Sequence, residues 1–184
     1  GDAYAYYQNA GEPNPVSDSW TVSFVQGGPQ LPASITVDSL ASWTDFAGDE
    51  YKAFSGTAVY TTTIDKVPVA DVIKLDLGFV AENASVYLNG DYIGTVIDSP
   101  YQLYIPAEKF KGQDELVVRV ANSMANRIAY MDKKGVDWKI FYNVNMSARK
   151  KENVKNGIFD ASDWEPKSSG LLGPVTLTPA MVKQ

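Results

Sequence analysis

Alternation of apolar and polar residues with period two dominates this chain, and it is clearest around one turn. In Ala84-Ser85-Val86-Tyr87-Leu88-Asn89-Gly90-Asp91-Tyr92-Ile93-Gly94, an Asn-Gly pair separates two alternating runs. Both turn residues tolerate positive φ, so the stretch predicts a β-hairpin with a type I′ turn. Val86 and Leu88 then share one face of the first strand, Ser85 and Tyr87 the other. Residues 92–97 return as the partner strand, and Gly94 leaves room for a bulge or a close neighbour.

The same pattern predicts the remaining elements in turn. Residues 1–18 are polar, with Gly11, Pro13 and Pro15, which predicts an irregular lead-in whose Tyr4, Tyr6 and Tyr7 lay aromatic rings on the domain. Residues 20–26 (WTVSFVQ) predict a strand with Trp20, Val22 and Phe24 on one face. A short strand near residues 35–37, a segment carrying Trp43, an acidic turn at Gly48-Asp49-Glu50 and a long strand over residues 54–64 follow. Residues 73–77 place Ile73, Leu75 and Leu77 inward, with Lys74 and Asp76 as a solvated charge pair outside. Beyond the hairpin come strands at 101–105 and 116–120, separated by a turn or a single helical turn. Residues 122–170 lose the alternation and predict a long loop-rich region, of the kind that is either functional or packed by its own side chains. A closing strand over 171–177 contains Gly173-Pro174, a pair suited to an edge or a bulge. With no long helix and no internal repeat expected, the fold class is all-β: an antiparallel β-sandwich of jelly-roll type, one domain over residues 1–184.

Composition narrows the chemistry. The 184 residues are 45% apolar, enough for a sizeable single core. Net charge is −6, and the cationic residues are scattered apart from Arg149-Lys150-Lys151. That argues against nucleic acid and against an anionic membrane surface as partners, and leaves neutral ligands such as sugars open. No apolar run is long enough to span a bilayer, and no charged-then-apolar leader opens the chain, as in a mature or excised form. The absence of cysteine excludes disulfides, thiolate zinc sites and cysteine nucleophiles. The absence of histidine excludes Ser-His-Asp triads and histidine acid–base catalysis. Catalysis, if any, would rest on carboxylates, Tyr, Lys or Ser.

One ordered set of motifs resembles a known family. Residues 60–64, Leu75-Asp76-Leu77-Gly78, the 84–90 hairpin, Ile93-Gly94 and Lys111-Gly112 leading into Leu116-Val117-Val118-Arg119-Val120-Ala121-Asn122 resemble the sugar-binding-type sandwich of glycoside hydrolase family 2. Gln113 or Asp114 stands where that family often has Asn. The flanks WTVSF (20–24), LASWT (40–44), FSGTA (54–58), ANRI (125–128), WKIFYN (138–143) and SGLLGPV (169–175) look most like the C-terminal domain of family 106 α-L-rhamnosidase-type enzymes. The resemblance spans roughly residues 20–177. It implies a galactose-binding-domain-like sandwich, an accessory or carbohydrate-binding domain of a bacterial, periplasmic or extracellular polysaccharide-degrading enzyme. In such enzymes catalysis belongs to a separate barrel, so the chain by itself is expected not to be an enzyme.

The candidate ligand-binding residues lie in the loop-rich region: Asn126, Arg127, Tyr130, Asp137, Trp138, Tyr142 and Trp164. Aromatic rings stack on the apolar face of a pyranose while amide, carboxylate and guanidinium groups bond its hydroxyls. The partner is then carbohydrate, or the catalytic domain of the same enzyme, with the chain a monomer. Alternatively these aromatics merely cover one end of a structural interdomain module. A third reading is a small jelly-roll glycosidase, which needs two carboxyl groups about 5–9.5 Å apart on rigid strands. Among the carboxylates only Asp76 falls clearly within a strand. No cofactor is implied; a structural calcium ion could use Asp45, Asp49 and Glu50, or Asp160 and Asp163.

Overall fold

The computed structural model describes residues 6–16, 19–140 and 150–183. Two antiparallel sheets form a β-sandwich. One holds β1 (Tyr6–Asn9), β15 (Thr176–Lys183), β6 (Val72–Asp76) and β10 (Gln102–Pro106) in that order, with β2 (Asn14–Pro15) also paired to β15. The other runs β4 (Ile35–Val37), β3 (Trp20–Gly28), β5 (Ser55–Ile64), β11 (Asp114–Ala121), β8 (Asn83–Leu88) and β9 (Asp91–Val96). Two small pairs join β7 (Phe79–Ala81) to β14 (Gly170–Gly173), and β12 (Val154–Lys155) to β13 (Ile158–Phe159). Two short helices, α1 (Asp49–Ala53) and α2 (Ala125–Lys133), are found among the described residues, neither long and apolar enough to cross a membrane.

The core follows from the period-two pattern. Trp20, Val22 and Phe24 of β3, Ala58 and Tyr60 of β5, Leu116, Val118 and Val120 of β11, and Val86 and Leu88 of β8 are all buried, opposite Ile73, Leu75 and Leu77. Trp43 and Phe54 close one end of this core, each with a ring edge against Phe24.

The 84–94 hairpin forms as its sequence dictates. Asn89 and Gly90 have φ of 53° and 86°, the left-handed pair that a type I′ turn needs. Ile93 is the extra residue of a bulge, and the bare Cα of Gly94 faces the Leu103 side chain. A Cβ at Gly90 meets nothing within 4 Å. Gly90→Ala is therefore expected to cost about 1 kcal/mol from the left-handed backbone alone, read as a shift in the urea midpoint at unchanged m-value.

Several expectations are corrected. The lead-in is not wholly irregular, because β1 and β2 complete the edge of the first sheet against β15, and Tyr7 stacks on Tyr104 with ring centroids 4.2 Å apart. Residues 171–177 are not one strand: the chain switches sheets at Gly173-Pro174, giving β14 and β15. The acidic turn after Gly48 is the helix α1. Asp76 does not pair with Lys74; its carboxylate accepts from the Gly78 N–H at 2.8 Å and the Gln102 amide at 2.6 Å. The loop-rich 122–170 region carries a nine-residue helix, α2, and the β12–β13 hairpin. Tyr142 lies outside the described residues.

Candidate functional site

The end of the six-stranded sheet where β3 stops, β5 starts and β11 stops carries the candidate site. Here Gly28 pairs with Ser55, and Ala121 with Thr57. Asn122, the next residue, ties this end together: its side-chain oxygen accepts from Gly56 N–H at 2.8 Å, and its amide donates to Phe54 carbonyl and Ser169 Oγ. The chain then turns into α2, built from good helix formers such as Ala125, Ala129, Met131 and Lys133. Gly135 (φ 66°) ends it, with Gly135 N–H bonding Asp132 carbonyl and Val136 N–H bonding Met131 carbonyl, a Schellman closure.

Two side chains of α2 fasten the rest of the region to it. The Asn126 amide donates to Lys167 carbonyl at 2.9 Å and to Ser169 Oγ at 3.2 Å, and its oxygen accepts from Lys167 N–H at 2.8 Å. The Asp132 side chain, 1% exposed, accepts from Trp138 indole N–H at 2.7 Å, from Lys139 Nζ at 2.7 Å and from Ala161 N–H at 2.8 Å. Lys139 also lies over the rings of Trp138 and Phe159. A buried carboxylate is thus satisfied by one cation and two N–H donors, which is what offsets its desolvation.

Between these fastenings, residues 150–166 present Trp164. The β12–β13 hairpin turns on Asn156-Gly157, again with paired positive φ of 50° and 78°. Its Phe159 packs edge-on to Trp164 with centroids 5.8 Å apart, and Trp164 indole N–H donates to Asn153 Oδ1 at 2.9 Å. The indole is therefore held from two sides. Lys155 bridges Asp160 and Asp163 at 3.4 and 3.0 Å. The hydrogen bond to Asp163 raises the Lys155 pKa, and the Ser162 hydroxyl lowers that of Asp160. Those two acids share a lysine, and among the described residues no group of three or more acids gathers.

Two clefts share Trp164 in their walls. One, of about 490 Å³, lies between α1, α2 and residues 162–166, with Tyr130 and Trp164 among polar walls of Lys52, Lys133, Lys134, Asp163 and Glu165. The other, of about 590 Å³, is lined by Glu152, Asn153, Asp163, Trp164, Glu165 and Lys167. Aromatic rings among amide, ammonium and carboxylate groups can stack on an apolar face while bonding hydroxyls.

Of the residues expected from sequence, the cleft brings together Asn126, Tyr130 and Trp164. Asn126 contributes from a buried position, with both amide hydrogens spent on the loop it holds. Arg127, Asp137 and Trp138 are not in either cleft wall. The Arg127 guanidinium lies against Gly28, Trp138 is bonded to Asp132, and Asp137 is exposed. Sequence reasoning missed Lys52, Lys133, Lys134 and Glu165, single charged residues with no spacing to mark them. It also missed Asp132, whose role appears only once Trp138, Lys139 and Ala161 converge on it.

No family model matches this chain. A Formosa agariphila protein named "Putative beta-glucuronidase" is 30% identical over 181 residues, covering 90% of this chain and 16% of that protein. The rhamnosidase from Novosphingobium sp. PP1Y superposes with a TM-score of 0.69 at 27% identity, covering 98% of this chain and 16% of its own. A GH2 β-galacturonidase from Eisenbergiella tayi shares the fold, with a TM-score of 0.56 at 15% identity over 94% of this chain and 25% of its own. The chain thus spans about one sixth of the length of the curated relative it matches. It is similar to a β-sandwich portion of glycoside hydrolases, as an accessory domain of such an enzyme would be.

Proposed function

We propose that this chain is a carbohydrate-binding accessory β-sandwich of a bacterial glycoside hydrolase acting on polysaccharide outside the cytoplasm, and that it is non-catalytic by itself. The observation that carries the reading is Trp164, an indole anchored by Asn153 and Phe159 and shared by two clefts whose walls mix apolar surface with charged side chains. A ring already fixed in place loses little entropy when a sugar stacks on it. The higher TM-score with the Novosphingobium rhamnosidase than with the GH2 galacturonidase supports a rhamnosidase-type parent enzyme, the type that the sequence motifs resemble.

Catalysis is disfavoured by where the carboxylates stand. Of the cleft acids, Asp49 opens the five-residue helix α1, Glu152, Asp163 and Glu165 lie on no strand or α-helix, and all four are solvent-exposed, while Asp76 on β6 is spent on Gly78 and Gln102. Rigid support on strands or helices is what holds a catalytic pair in register. The isolated chain is expected to release no nitrophenol from aryl glycosides; turnover abolished by Asp163→Asn or Glu165→Gln would contradict this. Titration with rhamnose, galactose and galacturonate oligomers, followed by tryptophan fluorescence, is expected to give a saturable change with at least one of them. Trp164→Ala is expected to weaken that binding at least tenfold with an unchanged far-ultraviolet spectrum, equivalent to about 1.4 kcal/mol. A variant that binds as tightly as the parent chain would remove the aromatic platform from the account.

A further inference from the structure

The two clefts differ in their walls but share Asp163, Trp164 and Glu165, so they meet along one three-residue ridge. Each volume, about 490 and 590 Å³, falls in the range that encloses a drug-sized ligand, about 300–1,000 Å³, whereas a single hexose is smaller. Trp164 belongs to both walls. Its position is fixed from below: Trp164 N–H bonds Ala161 carbonyl, Asn153 holds the indole nitrogen, and Ala161 N–H is itself bonded to the buried Asp132. A ridge so anchored stays in place whichever cleft is filled.

From this arrangement we infer that the site takes an internal stretch of a glycan, at least two consecutive sugar units lying on either side of Trp164, and not a single terminal residue. The inference rests on the carbohydrate reading above. One cleft offers Tyr130 with Lys52, Lys133 and Lys134; the other offers Glu152 and Lys167. A ligand that occupies both gains the second contact as an intramolecular event, at high effective concentration. A monosaccharide gains only one.

The test is calorimetric titration of the 184-residue chain with two series, galacturonate oligomers and β-1,4-galactan oligomers, each from one to four units. The expected result is affinity for the tetrasaccharide of at least one series that exceeds its monosaccharide by tenfold or more. Tyr130→Ala and Lys167→Ala, substitutions in opposite clefts, are each expected to lower the tetrasaccharide affinity several-fold, with thermal midpoints close to the parent's. Monosaccharide and tetrasaccharide binding within twofold of each other overturns the two-unit inference and leaves the carbohydrate reading standing. Sensitivity to only one of the two substitutions does the same. Failure of every saccharide to bind overturns the carbohydrate reading itself, and this inference with it.

Discussion

Replacing Asp132 with alanine is expected to lower the stability of the chain by about 3 kcal/mol, the low end of what breaking a buried ion pair costs. Three donors lose their acceptor at once: the Trp138 indole N–H, Lys139 Nζ and the Ala161 N–H. The carboxylate is 1% exposed, so water cannot replace it without local opening. Lys139 is 17% exposed and lies over two aromatic rings, so its ammonium can reach solvent, which keeps the cost from rising further. For a chain of this size, about 3 kcal/mol corresponds to a fall of roughly 6–12 °C in the unfolding midpoint. Asp132→Asn, which keeps the shape but removes the charge, should fall between the two. Because Ala161 begins the turn that carries Trp164, Asp132→Ala should also weaken sugar binding. A midpoint within 2 °C of the parent's would show that α2 does not hold this region as described.

Asp114→Ala is expected to cost a similar amount, about 3 kcal/mol, through lost hydrogen bonds to a buried charge. Asp114 is fully buried, and its carboxylate accepts from the Asn89 amide at 2.6 Å, Lys111 N–H at 2.7 Å and Gly112 N–H at 3.0 Å. The Asn89 side-chain oxygen in turn accepts from Glu115 N–H at 3.0 Å. The β8–β9 turn and the start of β11 are thereby locked to one another, which fixes the register of β8 and β11 at that end. Asp114→Asn retains one oxygen but turns an amide toward a backbone donor, so it should lose less than alanine and more than nothing. In a double-mutant cycle, Asn89→Ala and Asp114→Ala are expected to be clearly non-additive, since each removes the same bond. Additive effects within about 0.3 kcal/mol would mean the pair does not couple the turn to β11.

Much of the sandwich was legible because a strand's period of two sorts side chains by face without any knowledge of its neighbours. Val86 and Leu88, or Ile73, Leu75 and Leu77, are buried as their alternation requires. The Asn89-Gly90 turn was legible for a local reason, the positive φ that few residue pairs accept. The same signal stands at Asn156-Gly157, but there only two residues pair on each side, too few to show alternation, and the hairpin went unread. The helix α2 was missed although Lys133-Lys134-Gly135 is a C-terminal stop signal. Its face is not an apolar stripe: Asn126 is buried through hydrogen bonds and Asp132 through an ion pair, so hydropathy alone carries little sign of it.

The candidate site was legible in part for the same reason. Trp164 and Tyr130 could be named as aromatic residues outside the alternating pattern, and both line the cleft. Trp138 met the same description but faces Asp132, because which aromatic is exposed depends on contacts between segments far apart in sequence. At residues 113–114, where the family that the chain resembles often has Asn, nothing in the sequence shows that Asp114 accepts from three donors in the fold.

Binding of carbohydrate across Trp164 can be followed residue by residue, through amide chemical-shift changes on the isotope-labelled chain during titration with a galacturonate or galactan tetrasaccharide. Perturbations are expected to cluster in residues 49–53, 126–134, 152–153 and 162–167, with the Trp164 indole N–H among the largest. Perturbations centred instead on the 84–94 hairpin or around Tyr7 and Tyr104, with residues 162–167 unmoved, would contradict binding across Trp164.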